Sequence, residues 1–195
     1  MDVANKIQEK LDELKSRLPD GVSIEATYDT TKFVEVSIKE VLITLLQALA
    51  LVLFVVYFFL QSFRTTIIPA VAIPVSLIGT FALLMAMNFS INTLTLFGLI
   101  LAIGIVVDDA IIVVENVETN LVKNPNLTLS EATTLAMKEV FAPVISTTLV
   151  LLAVFIPVTF IPGISGALYQ QFAITISFAV IISSINALTL SPALC

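Results

Sequence analysis

From residue 41 onward the chain is a succession of apolar runs separated by short polar segments. The runs cover about 41–63, 66–89, 94–114, 144–160 and 172–190. The first three are long enough to cross a bilayer as helices. The last two are shorter and richer in Ser and Thr, which suits helices packed inside a bundle where hydroxyls bond their neighbours. Pro69, Pro74 and Pro157 lie in or beside runs, as membrane helices tolerate when neighbours satisfy the freed carbonyls.

Before residue 41 the pattern is different. Val3, Ile7, Leu11, Leu14 and Leu18 fall at helical spacing with Lys, Glu and Asp between them, which predicts an amphipathic helix over 3–18. Pro19-Asp20-Gly21 is a turn signal. Val22–Tyr28 alternates apolar and polar, the mark of a half-buried strand. Asp29-Thr30-Thr31 is placed to cap a second helix, whose start (Phe33, Val36, Val41) leads into the first run. The expected fold is an all-α polytopic membrane bundle of five transmembrane helices, residues 41–195, with a small α/β piece at residues 1–40. In the 115–143 segment, Thr128-Leu129-Ser130-Glu131 has the capping-box form. Ala132, Leu135, Ala136 and Val140 follow at helical spacing. The expectation is a separate interfacial helix over about 128–142.

Composition sharpens the class. Hydrophobic residues make up 58% of the chain and charged residues 12%, against about 25% charged in soluble domains. Residues 1–40 hold 15 of the 24 charges. After residue 40, Arg64, Lys123 and Lys138 all fall in loops on one side, and the opposite loops, 90–93 and 161–171, carry no Lys or Arg. The positive-inside rule places the first set in the cytoplasm and residues 1–40 outside, in the periplasm of a double-membrane bacterium. The net charge of −6, without a basic stripe, gives no reason to expect nucleic acid. One cysteine excludes an internal disulfide, and the absence of His leaves no zinc signature. There is no P-loop, no metal-ligand spacing and no catalytic constellation. No signal peptide opens the chain, and both ends read as cuts through something longer.

The chemistry is concentrated in the third run, where Asp108 and Asp109 sit side by side. A carboxylate at membrane depth costs roughly 2.5–3.5 kcal/mol on insertion scales, so two together point to a proton- or ion-handling site. Adjacent helical residues point about 100° apart, so the acids face neighbouring sectors while their protons belong to the pair. Gly98, Ala102 and Gly104 precede them, and small residues allow close helix approach there. Glu115 and Glu118 read as markers of the membrane boundary. The structural alternative is a pair of buried acids tied to Thr or Asn on a neighbouring helix. No Lys, Arg or His lies in any run. The acids therefore stay protonated or draw a cation from outside this sequence.

Gly104-Ile105-Val106-Val107-Asp108-Asp109-Ala110-Ile111-Ile112-Val113-Val114-Glu115-Asn116-Val117-Glu118 resembles the fourth transmembrane helix of resistance-nodulation-division efflux pumps, of the hydrophobe/amphiphile exporter subgroup. Tyr28-Asp29-Thr30-Thr31, Phe63–Val75, Phe89–Thr95 and Ser191-Pro192-Ala193-Leu194-Cys195 resemble further segments of that family. The resemblance implies an inner-membrane proton antiporter that exports drugs and other amphiphiles, with Asp108 and Asp109 as the proton relay. It implies no cofactor beyond the coupling proton. It also implies a homotrimer in contact with membrane lipid, working with a periplasmic adaptor and an outer-membrane channel. The cation would be a Lys on a helix of the second half. This chain would then be helices two to six of twelve, preceded by the end of a periplasmic pore domain. The alternative is a truncated, non-transporting membrane protein that assembles with or interferes with full-length pumps. A protein- or lipid-exporting relative using the same acids is a third reading.

Overall fold

The computed structural model describes residues 2–15, 17–19, 21–24, 29 and 31–195. Six helices follow in order: α1 Asp2–Lys15, α2 Thr31–Leu60, α3 Phe63–Ala86, α4 Thr93–Lys123, α5 Leu129–Val158 and α6 Gly163–Leu194. The chain divides into two compact units, Met1–Glu40 and Val41–Cys195.

In the first unit α1 is amphipathic, with Lys10–Glu13, Lys15–Asp12 and Arg17–Glu13 ion pairs on its solvent face. Such exposed pairs contribute at most about 1 kcal/mol each. Its apolar residues Val3, Ile7 and Leu14 remain exposed, so the helix does not bury its own stripe. The turn after it closes by a bond from the Val22 N–H to the Pro19 carbonyl at 3.2 Å. Gly21 adopts φ +91°, a left-handed conformation that suits glycine. The expected strand is not found. Residues 22–24 have no regular structure, 25–28 lie outside the described residues, and no strand occurs among the described residues. Asp29 caps α2 by accepting bonds from the Thr31 N–H, at 2.9 Å, and the Thr31 hydroxyl.

The second unit is a helix bundle. Five helices of the chain are long and apolar enough to cross a membrane, and the protein is a multi-pass membrane protein. Their burial sorts them. In α4 and α6, 56% of the apolar span is buried, against 39% in α3, 17% in α5 and 11% in α2. Helices apolar all round bury their surface in protein or in lipid, so α4 and α6 form the interior and α2 and α5 face outward. α6 packs against α3, α4 and α5, and α4 packs against α3, α5 and α6. Val56 of α2 joins Ile73, Ile103 and Val107 in one core cluster, which is how α2 attaches to α3 and α4. Val113, Val140, Val144 and Ala187 form a second cluster among α4, α5 and α6.

The expected separate helix over 128–142 is not a separate element. It is the first half of α5, which runs unbroken to Val158 with Pro143 inside it. The cause is legible in its buried face. Ala132, Ala136, Val140, Val144 and Thr148 are all buried, a stripe of spacing four that passes Pro143 without a change of phase. Proline removes one backbone donor and crowds the carbonyl four residues before it. One continuous packed stripe offsets that loss. The capping box does form: Thr128 Oγ1 accepts from the Glu131 N–H, and Glu131 accepts from the Thr128 N–H at 2.8 Å.

Candidate functional site

α4 carries the acid pair at its middle. Its start is fixed by Asn92, whose Oδ1 accepts from the Leu94 and Thr95 N–H groups at 2.9 and 3.0 Å, while its amide binds Gln171 of α6. One and a half turns on, α4 and α6 meet closely. A Cβ at Gly98 would stand 3.3 Å from the Phe172 carbonyl oxygen and 3.3 Å from Thr175 Cβ. Ala102 is fully buried. Gly98 and Ala102 thus lie on packed faces, but Gly104 does not: a Cβ there would meet nothing within 4 Å. No neighbour within this chain packs on Gly104. It leaves open space beside Asp108 instead.

The two acids face different surroundings. Asp109 is 7% exposed and points at α6, where the Ser183 hydroxyl donates to its Oδ2 at 2.7 Å. The same hydroxyl stands 3.3 Å from the Val106 carbonyl. A hydroxyl has one proton to give, so Ser183 serves either acceptor according to which needs it. Asp108 is exposed. On one side it lines a pocket of about 580 Å³ with Gly104, Ile105, Ser146, Thr147, Val150 and Leu151. On the other it lines a pocket of about 240 Å³ against Leu51, Val52, Val55 and Val56 of α2. Among the described residues no cation pairs with either acid, and no cluster of metal-ligating side chains is present. Glu115 is exposed. Glu118 accepts from Thr65 Oγ1 of α3 at 2.8 Å, which ties α3 to α4 near their ends.

Ser183 was not singled out from the sequence. Its only signal was the Ser-rich composition of the last apolar run. The arrangement supplies two carboxyls of unlike environment on adjacent residues: one dry and held by a hydroxyl, one opening on space between helices. Such a pair can take up a proton from one side and hold it away from solvent.

Membrane-length helices built around a mid-helix acid pair define a polytopic membrane protein with ionisable side chains inside its bundle. The chain belongs to the AcrB/AcrD/AcrF family, whose model matches residues 1–195. It is 50% identical over its full length to the multidrug export protein AcrF of Escherichia coli (strain K12), of which it covers 19%. It is 46% identical to the multidrug resistance protein MdtF of the same strain, again covering 19%. It is 45% identical to the solvent-resistant pump membrane transporter SrpB of Pseudomonas putida, covering 18%. The chain therefore spans about a fifth of the length of these curated relatives.

Proposed function

We propose that this chain is the proton-handling core of an inner-membrane efflux pump that exports drugs and other amphiphilic compounds in exchange for protons. The observation that carries the reading is the unlike pair on α4: Asp109 buried against Ser183, Asp108 open to the spaces beside α2 and α5. Asp108 exchanges protons with water entering those spaces. Asp109 holds a proton out of water, where its charge state alters how α4 and α6 meet. Proton binding thereby becomes helix movement, and no cofactor takes part. The relatives' names, which mention multidrug export and a solvent-resistant pump, support amphiphilic drugs and solvents as the exported class. The family resemblance supports a homotrimer joined to a periplasmic adaptor and an outer-membrane channel, with residues 1–40 on the periplasmic side. It also supports a lysine elsewhere in the full-length pump as the counter-charge to the pair.

The test is Asp109→Asn and Asp108→Asn in the full-length pump that carries this segment. Asparagine keeps the volume and can still accept from Ser183, so membrane insertion and abundance stay normal while export and drug resistance are lost. Retained resistance at normal abundance would overturn the assignment.

A further inference from the structure

One turn of α6 reaches three different helices. Ser183 donates to Asp109 of α4 at 2.7 Å. Ser184 bonds Thr148 of α5. Asn186 Nδ2 donates to Ser76 Oγ of α3 at 2.8 Å. All six side chains are buried. At 100° per residue, Ser184 lies on one flank of Ser183 and Asn186, 300° on, lies about 60° around the other flank. The two outer ties therefore bracket the central one. We propose that the Ser76–Asn186 and Thr148–Ser184 pairs are positioning pairs, which fix the rotation of α6 and so hold the Ser183 hydroxyl on Asp109.

The argument is geometric. Ser183 has two acceptors within reach, Asp109 Oδ2 and the Val106 carbonyl, at 2.7 and 3.3 Å. A few tenths of an ångström decide which one it serves, because hydrogen bonds weaken steeply away from their preferred distance and angle. The other polar tie between α6 and α4, Gln171 to Asn92, lies twelve residues before Ser183, which leaves the rotation of α6 at this turn to be fixed locally. A tie on each flank removes that freedom. The hydroxyl's placement then sets how readily Asp109 gives up its proton, since a donor to the carboxylate favours the ionised form. Among the described residues of this chain, few other charges lie near the pair. Asp108 is the neighbouring titratable group on α4. The described residues of α3 carry no charge beyond its first turn, and α6 carries only Tyr169 as a titratable side chain, near its start. On α5, Glu139 meets Asn120, eleven residues further along α4, and Lys138 lies beside Glu139. On α2 the charged residues Lys32, Glu35, Lys39 and Glu40 lie in its first ten residues.

The proposal rests on Asp109 as a proton-carrying group, and its test does not depend on export. In membranes bearing the full-length protein, reaction of Asp109 with a hydrophobic carbodiimide is followed against pH and mapped by peptide mass spectrometry. Ser76→Val with Asn186→Leu replaces both partners by apolar groups of similar size, a change that is nearly neutral for folding. Its midpoint pH is expected to move by about one unit, a tenfold change in proton affinity. Combined with Ser183→Ala, the shift is expected to be no larger than Ser183→Ala gives alone, because both changes act through one hydroxyl. An unmoved midpoint, or full additivity with Ser183→Ala, overturns the proposal. Should the α3 pair fail to fold, Thr148→Val with Ser184→Ala puts the same question from the other flank. An Asp109→Asn pump that still exports would sink the relay reading and leave this titration standing.

Discussion

Gly98 and Gly104 are six residues apart on one helix, and substituting each with alanine separates packing from propensity. At Gly98 the new Cβ would sit 3.3 Å from the Phe172 carbonyl oxygen and from both Cβ and Cγ2 of Thr175. One neighbour is backbone and the other is β-branched, so neither can swing aside. The two helices must part by a few tenths of an ångström, and overpacking of this kind costs about 1–3 kcal/mol. Alanine returns about 1 kcal/mol in helix propensity. The net effect of Gly98→Ala lies between neutral and a loss of about 2 kcal/mol. At Gly104 nothing stands within 4 Å, so alanine gains about 1 kcal/mol there with no steric cost. The variants should differ by about 1–3 kcal/mol, or roughly 5- to 150-fold in a local opening equilibrium. Hydrogen exchange of the α4 amides in the full-length protein reads that ratio locally, which matters because a large membrane protein does not unfold in two states. Equal protection in the two variants, or better protection in Gly98→Ala, would refute the assignment of Gly98 to the α4–α6 contact.

Asn92→Ala is expected to cost about 0.5–2 kcal/mol and to speed exchange first at Leu94 and Thr95, whereas Asn92→Asp keeps the capping oxygen and retains most of that protection. Asp29 gives a pH signature. Bonds from the Thr31 hydroxyl, then the Thr31 N–H, hold its carboxyl below the ordinary value of 3.8. Its contribution to the α2 cap is therefore complete above that pH and fades as pH falls through the lower folded value. Exchange at the first turn of α2 should rise only under acid conditions, and Thr31→Val should bring that rise to higher pH; a pH-independent first turn would contradict the cap.

The five membrane helices and the splay of the two acids were legible because both rest on local rules, run length and 100° per residue. The partner of Asp109 was not legible. Five buried serines or asparagines lie along α6 between Ser177 and Ser191, and only packing decides that Ser183 is the one facing α4. A glycine is small whether it meets a neighbour, as Gly98 does, or open space, as Gly104 does within this chain, and the sequence does not distinguish the two. The interfacial helix expected over about 128–142 came from its capping box and lower hydrophobicity, weighed above a buried stripe of spacing four that runs on from Ala132 to Thr148. The α/β piece is not shown: of the expected strand, residues 25–28 lie outside the described residues. Alternation over Val22–Tyr28 describes a strand only where another strand is beside it to complete the ladder, and residues 22–24 have none.

Helix length has a consequence for the membrane itself. α4 has 31 residues and α6 has 32, about 46–48 Å at 1.5 Å per residue, against a hydrocarbon thickness of about 30 Å. Asp109 lies sixteen residues from the start of α4 and fourteen from its end, so it sits near the centre of that excess. Sliding or tilting by a full turn, about 5.4 Å, would still leave the acids within the oily layer. Membranes of differing thickness would be absorbed towards the helix ends, where the exposed Lys123 and Glu139 already provide polar surface, and the dryness of Asp109 would be set by α6 rather than by the lipid the protein happens to inhabit.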